Sequence, residues 1–307
     1  MKFAVMATGG VGGYFGARLA AAGEDVHFIA RGAHLEVLRK EGLTLHSANG
    51  DLRLARVSAT DDPSSIGAAD IVIFAVKQYD TAVAARAIVP LMGAETAVIT
   101  LQNGVDKDDR LAAILGPNRV MGGVAYIAAA AVAAPGVITH VGTLARIIFG
   151  ELDGAATARA KRFLAACQKA AIDATLSTHI ATDLWAKFAL LSAFSGVGSL
   201  TRKPIGMIRS DPDLRKVLSD AIAEAIAVAR AKGAELGRDY LARQMGLVDG
   251  FAPETQSSMQ MDLAQGRRLE LEWMSGAVAR LGDALGVPTP VHHVIYAALK
   301  SEADGRR

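Results

Sequence analysis

The first thirty-one residues constrain the fold more tightly than any other stretch. A short apolar run, Phe3 to Ala7, passes into Ala7-Thr8-Gly9-Gly10-Val11-Gly12-Gly13, continues as a helical pattern through Phe15, Leu19 and Ala22, and returns as a second run, Asp25 to Ala30. Strand, glycine turn, helix and strand make a βαβ unit. In such a unit one turn glycine lets the backbone approach a pyrophosphate and another lets the helix pack closely on the strand. The helix N-terminus adds N–H groups and the positive end of its dipole. Gly9 and Gly12 take those two places, and Gly10 and Val11 complete the expected contacts. Ala7 stands where the fingerprint has its first glycine.

The residue closing the second run carries the next step. A dinucleotide enzyme selective for NAD(H) places Asp or Glu there, roughly 20 residues past the loop, against the ribose 2′-hydroxyl. This chain has Arg31. A guanidinium takes a 2′-phosphate bidentately, so the expected cofactor is NADP(H). The alternatives are a glycine turn without a ligand and a solvated arginine.

At 307 residues the chain is long enough for two domains, and 51% hydrophobic with 21% charged residues places it among globular proteins. The 33 basic and 31 acidic residues are scattered, without a basic block to mark a nucleic-acid footprint; small anionic ligands fit better. One cysteine, Cys167, excludes an intramolecular disulfide and a cysteine zinc site; its apolar helical setting reads as core, and a reducing cytoplasm is the expected location. The few apolar residues before the glycine loop are too short for a signal peptide. Val120 to Val141 lacks Asp, Glu, Lys and Arg over about the length of a membrane span. It is mostly Ala and Gly and is interrupted by Pro135-Gly136, so two short buried strands joined by a turn are expected, with no membrane partner.

Up to about residue 178, β-branched runs alternate with Ala/Leu-rich helical stretches, the pattern of a parallel sheet covered on both faces. The runs are Phe3 to Ala7, Asp25 to Ala30, Asp70 to Val76, Thr96 to Leu101, a pair flanking Pro135, Ala145 to Gly150 and Ala174 to Ser177. Asn49-Gly50 joins Leu43–His46 to Leu52–Leu54 as a type I′ hairpin. Beyond His179 the strand pattern gives way to helices. One begins at Asp211-Pro212, repeats apolar residues from Leu214 to Ile226 and stops at Gly233. The expected class is therefore α/β: a Rossmann-type doubly wound domain over 1–178 that binds NADP, and an all-helical substrate and catalytic domain over 179–307. A cleft between them is the expected substrate site.

Ligands of doubly wound sheets sit outside the carboxyl ends of the strands, so Lys77 after Asp70–Val76 and Gln102-Asn103-Gly104 after Thr96–Leu101 are further candidate cofactor residues. A solvated lysine and a helix-capping asparagine are the alternatives. His292 and His293 point about 100° apart on a helix, a poor metal pair, and no metal site is expected.

Gly-Gly-Val-Gly-Gly-Tyr-Phe-Gly at 9–16, Arg31, Val76-Lys77, Gln102-Asn103-Gly104, Trp185-Ala-Lys187 and Ser257-Ser258-Met259 to Glu270 stand in the order found in ketopantoate reductases, a family the chain resembles over nearly its whole length. The resemblance implies hydride transfer from NADPH to a small 2-keto acid such as 2-dehydropantoate. It makes Lys187 the catalytic lysine that protonates the ketone oxygen, Glu270 its acidic partner and Ser258 a substrate-binding hydroxyl, the last two on helices facing Lys187. Glu272 takes a place where the family usually has Asp. The chemistry agrees, because a cationic donor aimed at a developing alkoxide lowers the barrier. Asn103 is a substrate as well as a cofactor candidate. One and two turns beyond Lys187 the family usually has substrate-binding asparagines; here Leu191 and Ser195 stand there, followed on the same stripe by Gly198. The reaction type is thus better indicated than the substrate. Open alternatives are a reductase or dehydrogenase for a more apolar 2-keto or 2-hydroxy acid, and a catalytically silent NADP sensor. A homodimer is left open.

Overall fold

The computed structural model describes residues 1–306. They form two compact units, one comprising Met1–Gln102 with Lys107–Ile180, the other comprising Asn103–Asp106 and the chain from Ala181 on.

The first unit holds β1 (Lys2–Met6), α1 (Gly10–Ala21), β2 (Asp25–Ile29), α2 (Gly32–Glu41), β3 (Leu43–Ser47), β4 (Leu52–Leu54), β5 (Ser58–Thr60), β6 (Ala69–Phe74), α3 (Thr81–Ala87), β7 (Met92–Thr100), α4 (Lys107–Leu115), β8 (Val120–Ile127), β9 (Ala130–Ala134), β10 (Val137–His140), β11 (Ala145–Glu151), α5 (Ala158–Lys169) and β12 (Asp173–Leu176). Eight strands run in the order β12-β11-β8-β7-β6-β1-β2-β5. Alternate residues of β1 and β6 enter opposite cores: Phe3, Val5, Ile71 and Ile73 on the side of α1 and α5, and Ala4, Met6, Val72 and Phe74 on the side of α3 and α4. Burial on both faces is why these strands read as unbroken apolar runs. Cys167 lies in the first of these cores, and burial pushes its thiol up to about 12.

The sheet departs from an all-parallel pattern at β8 and β11, which pair antiparallel. No crossover helix separates them; the chain makes a β excursion and returns beside the strand it left, which only antiparallel pairing permits over so short a path. That excursion corrects the reading of Val120–Val141 as two buried strands. It contains β8, β9 and β10, with β9 largely exposed, and β9 and β10 join a second sheet of order β4-β3-β10-β9. The hairpin of β3 and β4 forms, with Leu45 paired to Leu52, two residues off the register of a two-residue turn at Asn49-Gly50. Its turn is not type I′: Gly50 has φ +100° but Asn49 does not turn left-handed. The Asn49 amide donates to the Tyr14 hydroxyl (3.1 Å) and the Thr143 carbonyl (3.0 Å), and this tertiary anchoring replaces the local preference.

The second unit contains α6 (Ile180–Thr201), α7 (Ile205–Ser210), α8 (Pro212–Ala231), α9 (Tyr240–Gly250), α10 (Ser258–Ala264), α11 (Ser275–Leu285) and α12 (Pro290–Leu299). Helix α8 begins as its sequence dictates, with the Asp211 carboxylate accepting from the backbone N–H groups of Asp213 and Leu214. Helix α6 is apolar enough in composition to span a membrane. Its hydrophobicity serves the core instead: Trp185, Phe188, Ala189, Ala193, Phe194 and Val197 are buried with residues of α8, α10, α11 and α12.

Where α8 meets α12, His292 is fully buried, with Nε2 3.0 Å from the Ala221 carbonyl, and the Glu224 carboxylate accepts from the Val291 and His292 backbone N–H groups (2.8 and 3.0 Å). Burial pushes the His292 imidazole down to about 4 from its ordinary 6.5. A histidine depressed in the folded state resists protonation there, so its contribution to stability is complete above pH 6.5 and is lost as the pH falls toward 4. Glu224, raised by burial, and His293, raised chiefly by a hydrogen bond with the Thr289 carbonyl, also titrate nearby. The His292 share is therefore read by difference. Urea unfolding at pH 7 and pH 4.5 should show the wild type losing about 2–3 kcal/mol more than His292→Gln. Equal losses would remove His292 from the pH dependence.

Candidate active site

Four adjacent parallel strands, β7, β6, β1 and β2, bring their carboxyl ends to one edge of the first unit. The glycine loop follows β1, Arg31 follows β2, Lys77 follows β6 and Gln102 follows β7, so residues scattered over a hundred positions gather there. Ala7 adopts φ +74°, the left-handed conformation for which the fingerprint uses glycine, so the turn is made in spite of the substitution. Thr8 fixes it, its backbone N–H and hydroxyl both donating to the Ile29 carbonyl at 3.1 Å. Sequence reasoning passed over Thr8, because its role depends on a partner 21 residues away. A left-handed alanine costs about 1 kcal/mol. Ala7→Gly should accordingly stabilise the protein by about that amount in thermal or urea unfolding; a loss of stability would contradict the strain.

The residues present fit a dinucleotide. A Cβ on Gly12 would stand 2.3 Å from the Ala7 carbonyl oxygen, so only glycine allows α1 to start so close to β1. Gly9 is the N-cap of α1 with open space where a Cβ would be, no side chain caps the helix, and its first turn carries no acid. The N–H groups of Gly10, Val11 and Gly12 thus begin a helix suited to an anion. Arg31 is exposed and makes no ion pair among the described residues.

The Gln102 side chain is held within the first unit. Its amide Nε2 donates to the Val76 carbonyl and the Thr81 hydroxyl (both 2.9 Å), and its Oε1 accepts from the Thr100 hydroxyl (3.0 Å). The side chain braces the ends of β6 and β7 and sets the backbone from which Asn103 leaves the unit. Lys107, buried where the chain returns, donates to the Thr100 and Gly123 carbonyls at 2.9 Å.

Asn103 belongs to the helical unit, and there its Oδ1 accepts a 2.7 Å hydrogen bond from Nζ of Lys187. Two candidates 84 positions apart are therefore in direct contact. Lys187 lies on α6, half-buried, with Trp185 and Phe188 packed edge to face beside it and the Tyr240 hydroxyl donating to the Ala186 carbonyl at 2.8 Å. Leu191 and Ser195 follow on the same face, Leu191 partly buried and Ser195 buried. Gly198 is a packing position: a Cβ there would meet Oε1 of Gln260 at 2.8 Å. Ser258 opens α10 with an exposed side chain, while its neighbour Ser257 is the buried cap that accepts from the Gln260 N–H. Glu270 is buried but not on a helix, a correction to the sequence reading; it caps the short 3₁₀ turn Leu271–Trp273 ahead of α11. Glu272 accepts from Arg280 (2.7 Å) and from the Tyr296 hydroxyl (2.7 Å).

The family model "Ketopantoate reductase PanE/ApbA" matches residues 3–154, and the model of that family's C-terminal domain matches 179–303. The chain belongs to the ketopantoate reductase family. A 2-dehydropantoate 2-reductase of Mesorhizobium japonicum is 32% identical over 98% of this chain and 97% of its own length. The crystal structure of a PanE/ApbA family ketopantoate reductase from Ralstonia eutropha is 34% identical and superposes with a TM-score of 0.89, covering 99% of this chain and 98% of that one. D-mandelate dehydrogenase, solved with NADH and anilino(oxo)acetate, shares the fold at 20% identity and a TM-score of 0.89, covering 99% of this chain and 98% of its own. Membership makes the chain an oxidoreductase of the ketopantoate reductase type.

Proposed function

We propose that this protein catalyses the NADPH-dependent reduction of 2-dehydropantoate to pantoate, with Lys187 as the proton donor. The observation that carries the reading is the 2.7 Å hydrogen bond from Lys187 to Asn103. It fixes the direction of an ammonium that would otherwise sweep a wide arc. Gly9, Gly10, Val11 and Gly12 would hold the pyrophosphate, Arg31 the 2′-phosphate, and Lys77 and Asn103 further polar groups of the cofactor. When bound, NADPH supplies a hydride to the carbonyl carbon. Lys187 hydrogen-bonds the ketone oxygen and gives it a proton as negative charge develops, which stabilises the transition state more than the ground state. Half exposed, Lys187 then recovers its proton from water. Glu270 acts as the acidic partner of the lysine, and the Ser258 hydroxyl binds substrate. Incubation with NADPH and 2-dehydropantoate should yield pantoate and NADP⁺ in equal amounts. No consumption of NADPH would refute the assignment.

Leu191 favours a second reading. One turn beyond Lys187, it presents an apolar side chain where a hydroxyl-bearing substrate would need a partner, and a buried unpaired hydroxyl costs about 1–3 kcal/mol. A more apolar 2-keto acid avoids that cost. A strong preference for 2-dehydropantoate over its deoxy analogue, 3,3-dimethyl-2-oxobutanoate, would mean that the Ser195 hydroxyl or a bound water supplies the bond, and would dismiss the apolar substrate.

A further inference from the structure

Arg280, on α11, donates through Nη2 to Oδ2 of Asp106 (2.9 Å) and through Nη1 to Oε1 of Glu272 (2.7 Å). Asp106 lies three residues after Asn103, and Glu272 two residues after Glu270. One guanidinium thus joins the segment that holds Lys187 to the segment that bears the buried acid. The Tyr296 hydroxyl steadies the far side of Glu272 at 2.7 Å, a hydrogen bond that is also the main reason its phenol is raised above the usual range.

We infer that Arg280 is a positioning residue for the reduction, acting through Asn103 on Lys187; the inference rests on Lys187 being the proton donor. Asn103–Asp106 is a short excursion into the helical unit, tied there by Asn103 to Lys187, by Val105 against the apolar core and by Asp106 to Arg280. Asp106 is 21% exposed, and its second oxygen is buried without a hydrogen-bond partner among the described residues, so its charge depends on Arg280. Without the guanidinium, two carboxylates that share one cation would face each other across a few ångströms, and the segment bearing Asn103 would relax away from Glu272. The arginine itself is 47% exposed and Glu272 46%, so the bridges contribute little to global stability. Displacing a catalytic group by about 1 Å, in contrast, slows turnover as much as 100-fold.

The test compares wild type with Arg280→Ala and with Arg280→Ala/Asp106→Asn, after wild-type turnover of a 2-keto acid has been established; an inactive wild type refutes the proposed reaction, and this inference with it. In Arg280→Ala, kcat should fall roughly 10-fold or more with NADP(H) affinity and melting temperature nearly unchanged. Backbone amides of 103–106 should exchange faster with deuterium, and the limb of the kcat–pH profile due to Lys187 should move. Millimolar guanidinium ion, or removal of the orphaned charge in the double variant, should restore part of kcat. Unchanged exchange at 103–106 would overturn the inference, as would faster exchange with unchanged kcat. A loss of kcat that follows only the unfolded fraction would reduce Arg280 to an ordinary structural contact.

Discussion

Replacing Lys187 by alanine should lower kcat by roughly 100-fold to 10,000-fold, the range expected when a positioned acid is removed. NADPH should bind the variant almost as tightly as it binds the wild type, because the glycine loop and Arg31 lie in the other compact unit and do not depend on the lysine. Fluorescence titration of the cofactor and single-turnover oxidation of NADPH separate the two effects. Equal losses in affinity and turnover would mean that Lys187 supports the fold or the cofactor rather than the proton transfer. Asn103→Ala should also lower kcat, with a smaller loss, since it leaves the ammonium in place without its orientation.

The second large effect concerns cofactor choice. Arg31 stands at the carboxyl end of β2 with an exposed guanidinium and no acidic side chain bound to it among the described residues. A charge-assisted bidentate contact with a 2′-phosphate is worth about 1.5–3 kcal/mol, so wild type should favour NADPH over NADH by roughly 10-fold to 150-fold in Kd. Arg31→Ala should erase most of that ratio by weakening NADPH, with NADH little affected. Equal affinities in the wild type would return Arg31 to an ordinary surface arginine.

Much of this arrangement was legible in the sequence because the signals are local. The βαβ unit at the N-terminus, the Asp211-Pro212 helix start and the apolar runs of β1, β2, β6 and β7 are all written within windows of a few residues, where periodicity and capping decide the outcome. What local reading missed depends on partners far along the chain. Strand β5 is three residues long, and β8 hides in a stretch of Ala and Gly whose pairing with β7 and β11 is decided by the sheet rather than by propensity. The hairpin was legible, but its turn type was not, because Asn49 answers to Tyr14 and Thr143. The same holds in the site. Lys187 and Asn103 could each be singled out, whereas their hydrogen bond, the brace made by Gln102 and the double grip of Arg280 are properties of the folded chain.

The central claim is that a hydride reaches the carbonyl carbon of a 2-keto acid while Lys187 delivers the proton. It is tested most directly with NADPH carrying deuterium at the transferable C4 position, offered with 2-dehydropantoate to wild type and to Lys187→Met, the products being read by mass spectrometry and NMR. The wild type should place one deuterium at C2 of pantoate for every NADPH consumed, and Lys187→Met should form the same labelled product at least roughly 100-fold more slowly. Product without label at C2, or labelled product formed equally fast by both proteins, would contradict the account.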